Sequence, residues 1–320
     1  MSDWLYRGAA QPVRLAKRSW FWTALLGVGL LLGSVLALII AATRVVLPYD
    51  EAFVGMSRAE LHAVNPRLLA FMTHDRVSLA GTMVAVGVMY IGLSVFGSRR
   101  GLRWAQLTIL VSAFLGFATF FLFLGYGYLD PFHLFACIAL LQFMLLGVYA
   151  PLGRRGSTLA EPIATQTPSG GAFGRWLLIV HGAALLLAGS TIMYLGVTEV
   201  FVPEDLAFMQ TTAESLTAAN PRLVPLVAHD RATFGGMIFS AGWAFLLPAL
   251  WGYRRGSAWL WWTMLLAGLA AYVPAIAVHY AVGYTDPMHL APAWSGLGFF
   301  LAALVFSRTE LCQRDLKLHN

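Results

Sequence analysis

The chain has 320 residues, 59% of them hydrophobic and only 11% charged, with a mean hydropathy of +0.70. Soluble domains carry about 25% charged residues, so this composition excludes an ordinary water-soluble globule and points to a polytopic membrane protein. The net charge of +6 comes from short basic clusters between apolar runs, a distribution that speaks against nucleic-acid binding.

The first apolar run covers 20–46, too long for the core of a signal peptide and therefore a retained span. Seven further runs follow at 77–97, 104–126, 132–152, 176–201, 232–252, 258–281 and 288–307. Each is close to the roughly 20 apolar residues that a bilayer crossing requires. A Gly-, Ser-, Thr- and Pro-rich stretch, residues 153–174, separates the first four from the last four and reads as a linker. Cys137 lies in an apolar run and Cys312 in a polar tail, so no disulfide framework and no CxxC motif is present.

The chain repeats itself. Asn65-Pro66-Arg67-Leu68, His74-Asp75-Arg76 and Arg99-Arg100-Gly101 return 155 residues later as Asn220-Pro221-Arg222-Leu223, His229-Asp230-Arg231 and Arg254-Arg255-Gly256. Asp130-Pro131-Phe132-His133-Leu134 returns as Asp286-Pro287-Met288-His289-Leu290. The expected fold is therefore an all-α integral membrane protein, its eight transmembrane helices forming two tandem parallel four-helix repeats with pseudo-two-fold symmetry about the membrane normal. Residues 1–152 form the first repeat with its N-terminal tail, 175–307 the second, and 308–320 a tail. With the N-terminus inside, only Arg44, Arg58, Arg67, Arg76, Arg222 and Arg231 of the 21 basic residues lie outside or near the outer boundary. The positive-inside rule then places both termini in the cytoplasm of a plasma or inner membrane.

The repeated polar residues gather at the extracytoplasmic side. Asn65-Pro66 and Asn220-Pro221 are expected to open short interfacial helices that deliver His74-Asp75-Arg76 and His229-Asp230-Arg231 to the mouths of the second and sixth spans. Asp130 and Asp286 are expected as N-caps of the fourth and eighth spans, with His133 and His289 one turn inside. His279 joins them in the second half only, its counterpart falling near Phe123.

Plain structural roles suffice for several of these. Aspartate caps helices routinely, and Arg76 and Arg231 can snorkel or pair with Asp50, Glu51, Glu204 and Asp205. Buried imidazoles are costlier, and ionisable groups at membrane depth tend to be functional.

Three chemistries use this set. Imidazole with carboxylate suits a zinc, copper or iron ion held by His74, His133, His229, His279 and His289. A b-type haem needs matched histidines, with His74 facing His133 and His229 facing His289. An anion or lipid headgroup would use Arg67, Arg76, Arg222 and Arg231 beside helix N-termini. A membrane-embedded module binding a ligand, metal or haem is the leading reading, its site made of His74, Asp75, Arg76, Asp130, His133, His229, Asp230, Arg231, Asp286, His289, Arg67 and Arg222. A transporter of a small anionic or lipid-like substrate, an extracytoplasmic-face enzyme and a scaffold subunit bound to a membrane partner are the alternatives. No Walker, GxGxxG or GxSxG motif is present, so nucleotide binding and serine hydrolysis have no motif support.

Overall fold

The computed structural model describes residues 18–123, 128, 131–149 and 169–313. Among them every regular element is helical. In chain order these are α1 (Ser19–Thr43), α2 (Pro48–Val54), α3 (Arg58–Val64), α4 (Leu68–Gly92), α5 (Arg103–Phe123), α6 (Pro131–Tyr149), α7 (Ser169–Val197), α8 (Pro203–Met209), α9 (Ala213–Ala219), α10 (Leu223–Leu247), α11 (Ala258–Val282) and α12 (Pro287–Cys312). Eight of them, all but α2, α3, α8 and α9, are long and apolar enough to cross a membrane, as an integral membrane protein requires.

The centre of the bundle is α4 packed on α10. Their most apolar windows are 61% and 56% buried, against 11–39% for the other spans. Small side chains explain why these two lie inside: Gly81, Ala85, Gly87 and Gly92 on α4, and Gly235, Gly236, Ser240 and Gly242 on α10, let neighbours approach closely. A Cβ on Gly235 would stand 2.5 Å from the Met193 backbone nitrogen of α7 and 2.8 Å from the Gly189 carbonyl oxygen. At mid-depth Tyr90, Ser112 and Ser240 satisfy one another, with Tyr90 Oη 2.8 Å from Ser112 Oγ and Ser112 Oγ donating to the Ser240 carbonyl at 2.8 Å.

Around this pair, α1 and α11 pack on α4, while α7 and α5 pack on α10. The third span of each half thus lies against the second span of the other half. This crossing brings histidines from distant parts of the chain together.

The structure moves several expected boundaries. Asn65 and Asn220 do not open helices. They close α3 and α9, and their Oδ1 atoms accept from the Arg67 and Arg222 amides at 2.8 and 2.9 Å. No separate interfacial helix follows, because nothing between Leu68 and Gly92 breaks the helix. The second span therefore starts at Leu68 and the sixth at Leu223, which draws both His-Asp-Arg triplets inside the bundle. Pro248 opens a π-helical turn, Pro248–Gly252, matching another at Leu93–Gly97. α7 is helical from Ser169, and residues 153–168 of the expected linker lie outside the described set. α12 continues to Cys312.

The short helices α2, α3, α8 and α9 cover one end of the bundle. Val54, Leu61, Phe71, Met72, Phe201, Met209, Leu216 and Leu226 make an apolar layer there, separate from the main core. The two halves of this cover hold each other. Asn65 Nδ2 donates to the Met209 carbonyl at 2.9 Å and Arg67 to the Phe208 carbonyl at 2.6 Å; reciprocally, Asn220 Nδ2 reaches the Val54 carbonyl at 2.6 Å and Arg222 the Phe53 carbonyl at 2.7 Å.

Candidate metal centre

Beneath this cover the described residues include one group of three ligand-type side chains with mutually close donor atoms: His74, His279 and His289, within 4.8 Å of one another. His74 sits on the second turn of α4. His279 lies near the end of α11, which Gly283 terminates with φ of 77°, a left-handed conformation that glycine adopts without strain. The chain turns at once into α12, whose N-cap Asp286 accepts from the His289 backbone amide at 2.9 Å. A tight α11–α12 corner thus places two imidazoles, and the packing of α11 on α4 adds the third. Ring centroids are 4.2 Å apart for His74 and His279, 5.4 Å for His74 and His289, and 5.2 Å for His279 and His289.

Partners assign the tautomers. The Ala275 carbonyl can only accept, so His279 Nδ1, 2.5 Å away, carries the proton. His279 Nε2 is then a lone-pair nitrogen, and it is buried with no hydrogen-bond partner. The Tyr284 hydroxyl donates to Asp205 Oδ1 at 2.7 Å and so accepts from His289 Nδ1 at 3.0 Å. Burial, and after it the charge of Asp205, push the Tyr284 hydroxyl above the ordinary tyrosine range and keep it a donor. His74 Nδ1 stands 3.1 Å from Asp75 Oδ1, close enough for an ionic contact yet off the line of a well-formed hydrogen bond. That carboxylate favours the proton on Nδ1. In His279 and His289, Nδ1 is held by an oxygen, which leaves Nε2 as the lone-pair nitrogen.

A network of ions supports this arrangement. Arg231 Nη1 donates to Asp205 Oδ2 at 2.6 Å and to the Val200 carbonyl at 2.8 Å, while its Nε lies 3.6 Å from Asp75 Oδ2. Arg76 Nε contacts Asp230 Oδ2 at 2.9 Å, and its Nη1 reaches Asp50 Oδ2 at 2.9 Å and the Val45 carbonyl. Tyr128 donates to Asp50 Oδ1 at 2.5 Å, as Tyr284 does to Asp205. Asp50 and Asp205 each also accept from a backbone amide, Leu47 and Val202, at the start of α2 and α8. Val45 and Val200, whose carbonyls receive the arginines, have φ of 65° and 64°. That conformation costs a β-branched residue about 1–3 kcal/mol and persists only where surroundings impose it.

The expected site residues divide accordingly. His74, His279 and His289 converge. His133 and His229 form a second contact, ring centroids 6.3 Å apart, beside Tyr128 and Tyr49. The expected five-histidine set is thus two groups, and the pairs expected within each half are exchanged: His74 meets His289 and His229 meets His133.

Asp75, Asp230, Arg76 and Arg231 are occupied with one another and with Asp50 and Asp205. Asp286 is a cap. Asp130 lies outside the described residues. Arg67 and Arg222 are spent on the opposite half, each also lying over a phenylalanine ring, Phe208 or Phe53, at 5.7 and 5.8 Å. Arg44 and Glu199 are both exposed.

Sequence reading missed Tyr128 and Tyr284. Their signal was present, since each stands two residues before the Asp-Pro pair of its half. No protein-family model, curated protein or solved structure matches the chain.

Proposed function

We propose that the protein is a membrane-embedded metal-binding module in which His74, His279 and His289 hold one transition-metal ion. The observation that carries this reading is the cluster of three imidazoles, with one nitrogen from each within 4.8 Å of the others and Nδ1 of His279 and His289 held by oxygen. Metal-ligating histidines characteristically donate their other N–H to a carboxylate, carbonyl or similar acceptor, and His279 Nε2, buried with no hydrogen-bond partner, has little other use for its lone pair. Imidazole suits zinc, copper, iron or nickel. Three protein nitrogens leave a tetrahedral ion one position for an outside donor, the pattern of exchangeable rather than structural zinc sites.

The same proposal treats the chain as two tandem parallel four-helix repeats, 1–152 and 175–307, about a pseudo-two-fold axis along the membrane normal. Both termini are then cytoplasmic and the metal lies at the extracytoplasmic end. Reciprocity supports the repeat: Arg76 with Asp230 answers Arg231 with Asp75, and the Asn65 and Asn220 bonds exchange in the same way. The third histidine distinguishes the halves, because His279 has no equivalent near Phe123. One full site is expected, not two.

Elemental analysis of protein purified in mild detergent, before and after incubation with zinc or cobalt(II), tests the reading. One ion per chain is expected, lost in His74→Ala and His279→Ala and retained in His133→Ala. Equal retention in all three variants would sink it.

A further inference from the structure

Among the eight spans α6 is the least enclosed. Only 11% of its apolar window is buried, and it packs along α1 and lightly on α5. The contact with α1 is close: Ser19 Oγ donates to the Gly147 carbonyl at 2.7 Å, and Trp22 stacks on Phe143 with ring centroids 6.2 Å apart. Met144 and Gly147 are the buried residues of the helix. With 3.6 residues per turn, Gln142 falls on roughly the opposite side from both, and it is exposed.

A glutamine there is out of place. Pro131–Tyr149 has 19 residues and a length of about 28 Å, close to the thickness of the hydrocarbon layer. Gln142 stands about 16 Å from one end and about 10 Å from the other. Its side chain lacks the long stem by which lysine and arginine snorkel. Ser295, exposed on α12, bonds the Ala291 carbonyl one turn back at 2.6 Å. No such bond reaches the Gln142 amide among the described residues. An amide that faces hydrocarbon with its donors and acceptor unmet is costly.

Gln142 is also the middle of a pattern. Phe135, Ile138, Gln142, Leu145 and Tyr149 are all exposed and recur at spacings of three and four, so they line one face with a seven-residue period. That period keeps two crossing helices in contact along their length, and a single polar residue within it fixes their register.

We propose that this stripe is a dimer seam, in which α6 packs on α6 of a second copy of the chain and the two Gln142 amides hydrogen-bond each other. The occupant follows from the amide, which carries both donors and an acceptor and is therefore complementary to itself. Two copies inserted the same way up, related by a two-fold axis along the membrane normal, bring the two amides to one depth. The stripe holds no charge that a partner of opposite sign would answer.

The test is self-association of the full-length protein in phosphatidylcholine vesicles, read by energy transfer between donor- and acceptor-labelled copies as added lipid dilutes them. Transfer that falls through a midpoint on dilution is expected. Gln142→Leu suits a lipid-facing helix, so the fold is kept, and it should move the midpoint to about tenfold higher protein density, the size of a reciprocal pair of interhelical hydrogen bonds. Gln142→Asn keeps the amide and should lie between. Leu187→Ala, on the exposed face of α7, should leave the midpoint in place. Cross-linking locates the seam: in a Cys137→Ala, Cys312→Ala background, Leu145→Cys should give a disulfide-linked dimer on mild oxidation and Leu187→Cys should not. Absence of transfer at every dilution would mean that lipid covers the face. A Leu145→Cys adduct with a different protein in native membranes, and none with itself, would assign the face to another partner. A dimer indifferent to Gln142→Leu and lacking the Leu145→Cys link would have its seam elsewhere. Any of these three results overturns the proposal.

Discussion

Replacing Arg231 by methionine tests the ion network without invoking any ligand. The side chain is buried, and methionine can fill much of its length with apolar atoms. What is lost is the only cation within 4 Å of Asp75 and Asp205 among the described side chains other than histidines. Removing one partner of a buried pair typically costs about 3–5 kcal/mol, because the other charge is left uncompensated. Asp205 keeps its bonds from the Val202 amide and the Tyr284 hydroxyl, and the Arg231–Asp75 approach is long at 3.6 Å. Both facts put the expected loss at the lower end, about 3 kcal/mol, or roughly a hundredfold in the folding equilibrium.

The triple variant Arg231→Met, Asp75→Asn, Asp205→Asn has no buried charge left at this position. It should recover more than half of that loss, since replacing a whole buried ion group is often near neutral. Equilibrium unfolding in mixed micelles, monitored by circular dichroism with a chelator present, measures both. A cost below about 1 kcal/mol for the single change, or a triple variant worse than the single, would refute the reasoning that these charges sit in a poorly solvated layer.

Other outcomes follow from single contacts. Tyr284→Phe removes the oxygen that holds His289 Nδ1 and should weaken metal binding by about 10–100-fold, the usual effect of losing an outer-shell partner, in a chelator competition assay. Gly235→Ala places a methyl against the α7 backbone, so α7 and α10 must part, at about 1–3 kcal/mol; Gly298→Ala meets nothing within 4 Å and should be neutral or slightly stabilising in the same unfolding titration. The Ser57 amide and hydroxyl hold the Glu60 carboxylate below the usual glutamate range. A depressed folded-state value means that the capping box supports α3 at neutral pH and lets go as pH falls through that value. Hydrogen exchange at residues 58–61, corrected for its intrinsic pH dependence, should therefore rise on acidification in the native chain and stay level in Glu60→Gln.

Much of this organisation was legible without coordinates. The spans were readable because a bilayer demands about 20 apolar residues whatever surrounds them. The histidines and aspartates stood out because polar side chains in so apolar a chain must be recurrently needed. Asp286 behaves as the cap that its Asp-Pro pair implied. The boundaries were less legible: Asn65-Pro66 carries the letters of a helix start, yet Asn65 ends α3, because its side chain is taken by Met209 from the far half. A contact across 144 residues leaves no trace in local pattern.

The amino-acid sequence alone determined that the protein is helical, membrane-sized in its eight apolar runs, and built around a recurring set of His, Asp and Arg residues. These follow from composition and from period, which are properties of neighbouring residues. Only the tertiary structure decided which histidines meet. Depth along a helix can be counted, so His74, His133, His229 and His289 were expected near one level, but depth does not say which helices touch. The packing of α11 on α4 and of α5 on α10 does, and it is set by small residues such as Gly81, where a Cβ would meet the Ala270 carbonyl oxygen at 2.9 Å. That close approach, rather than membership of one half, puts His279 and His289 beside His74.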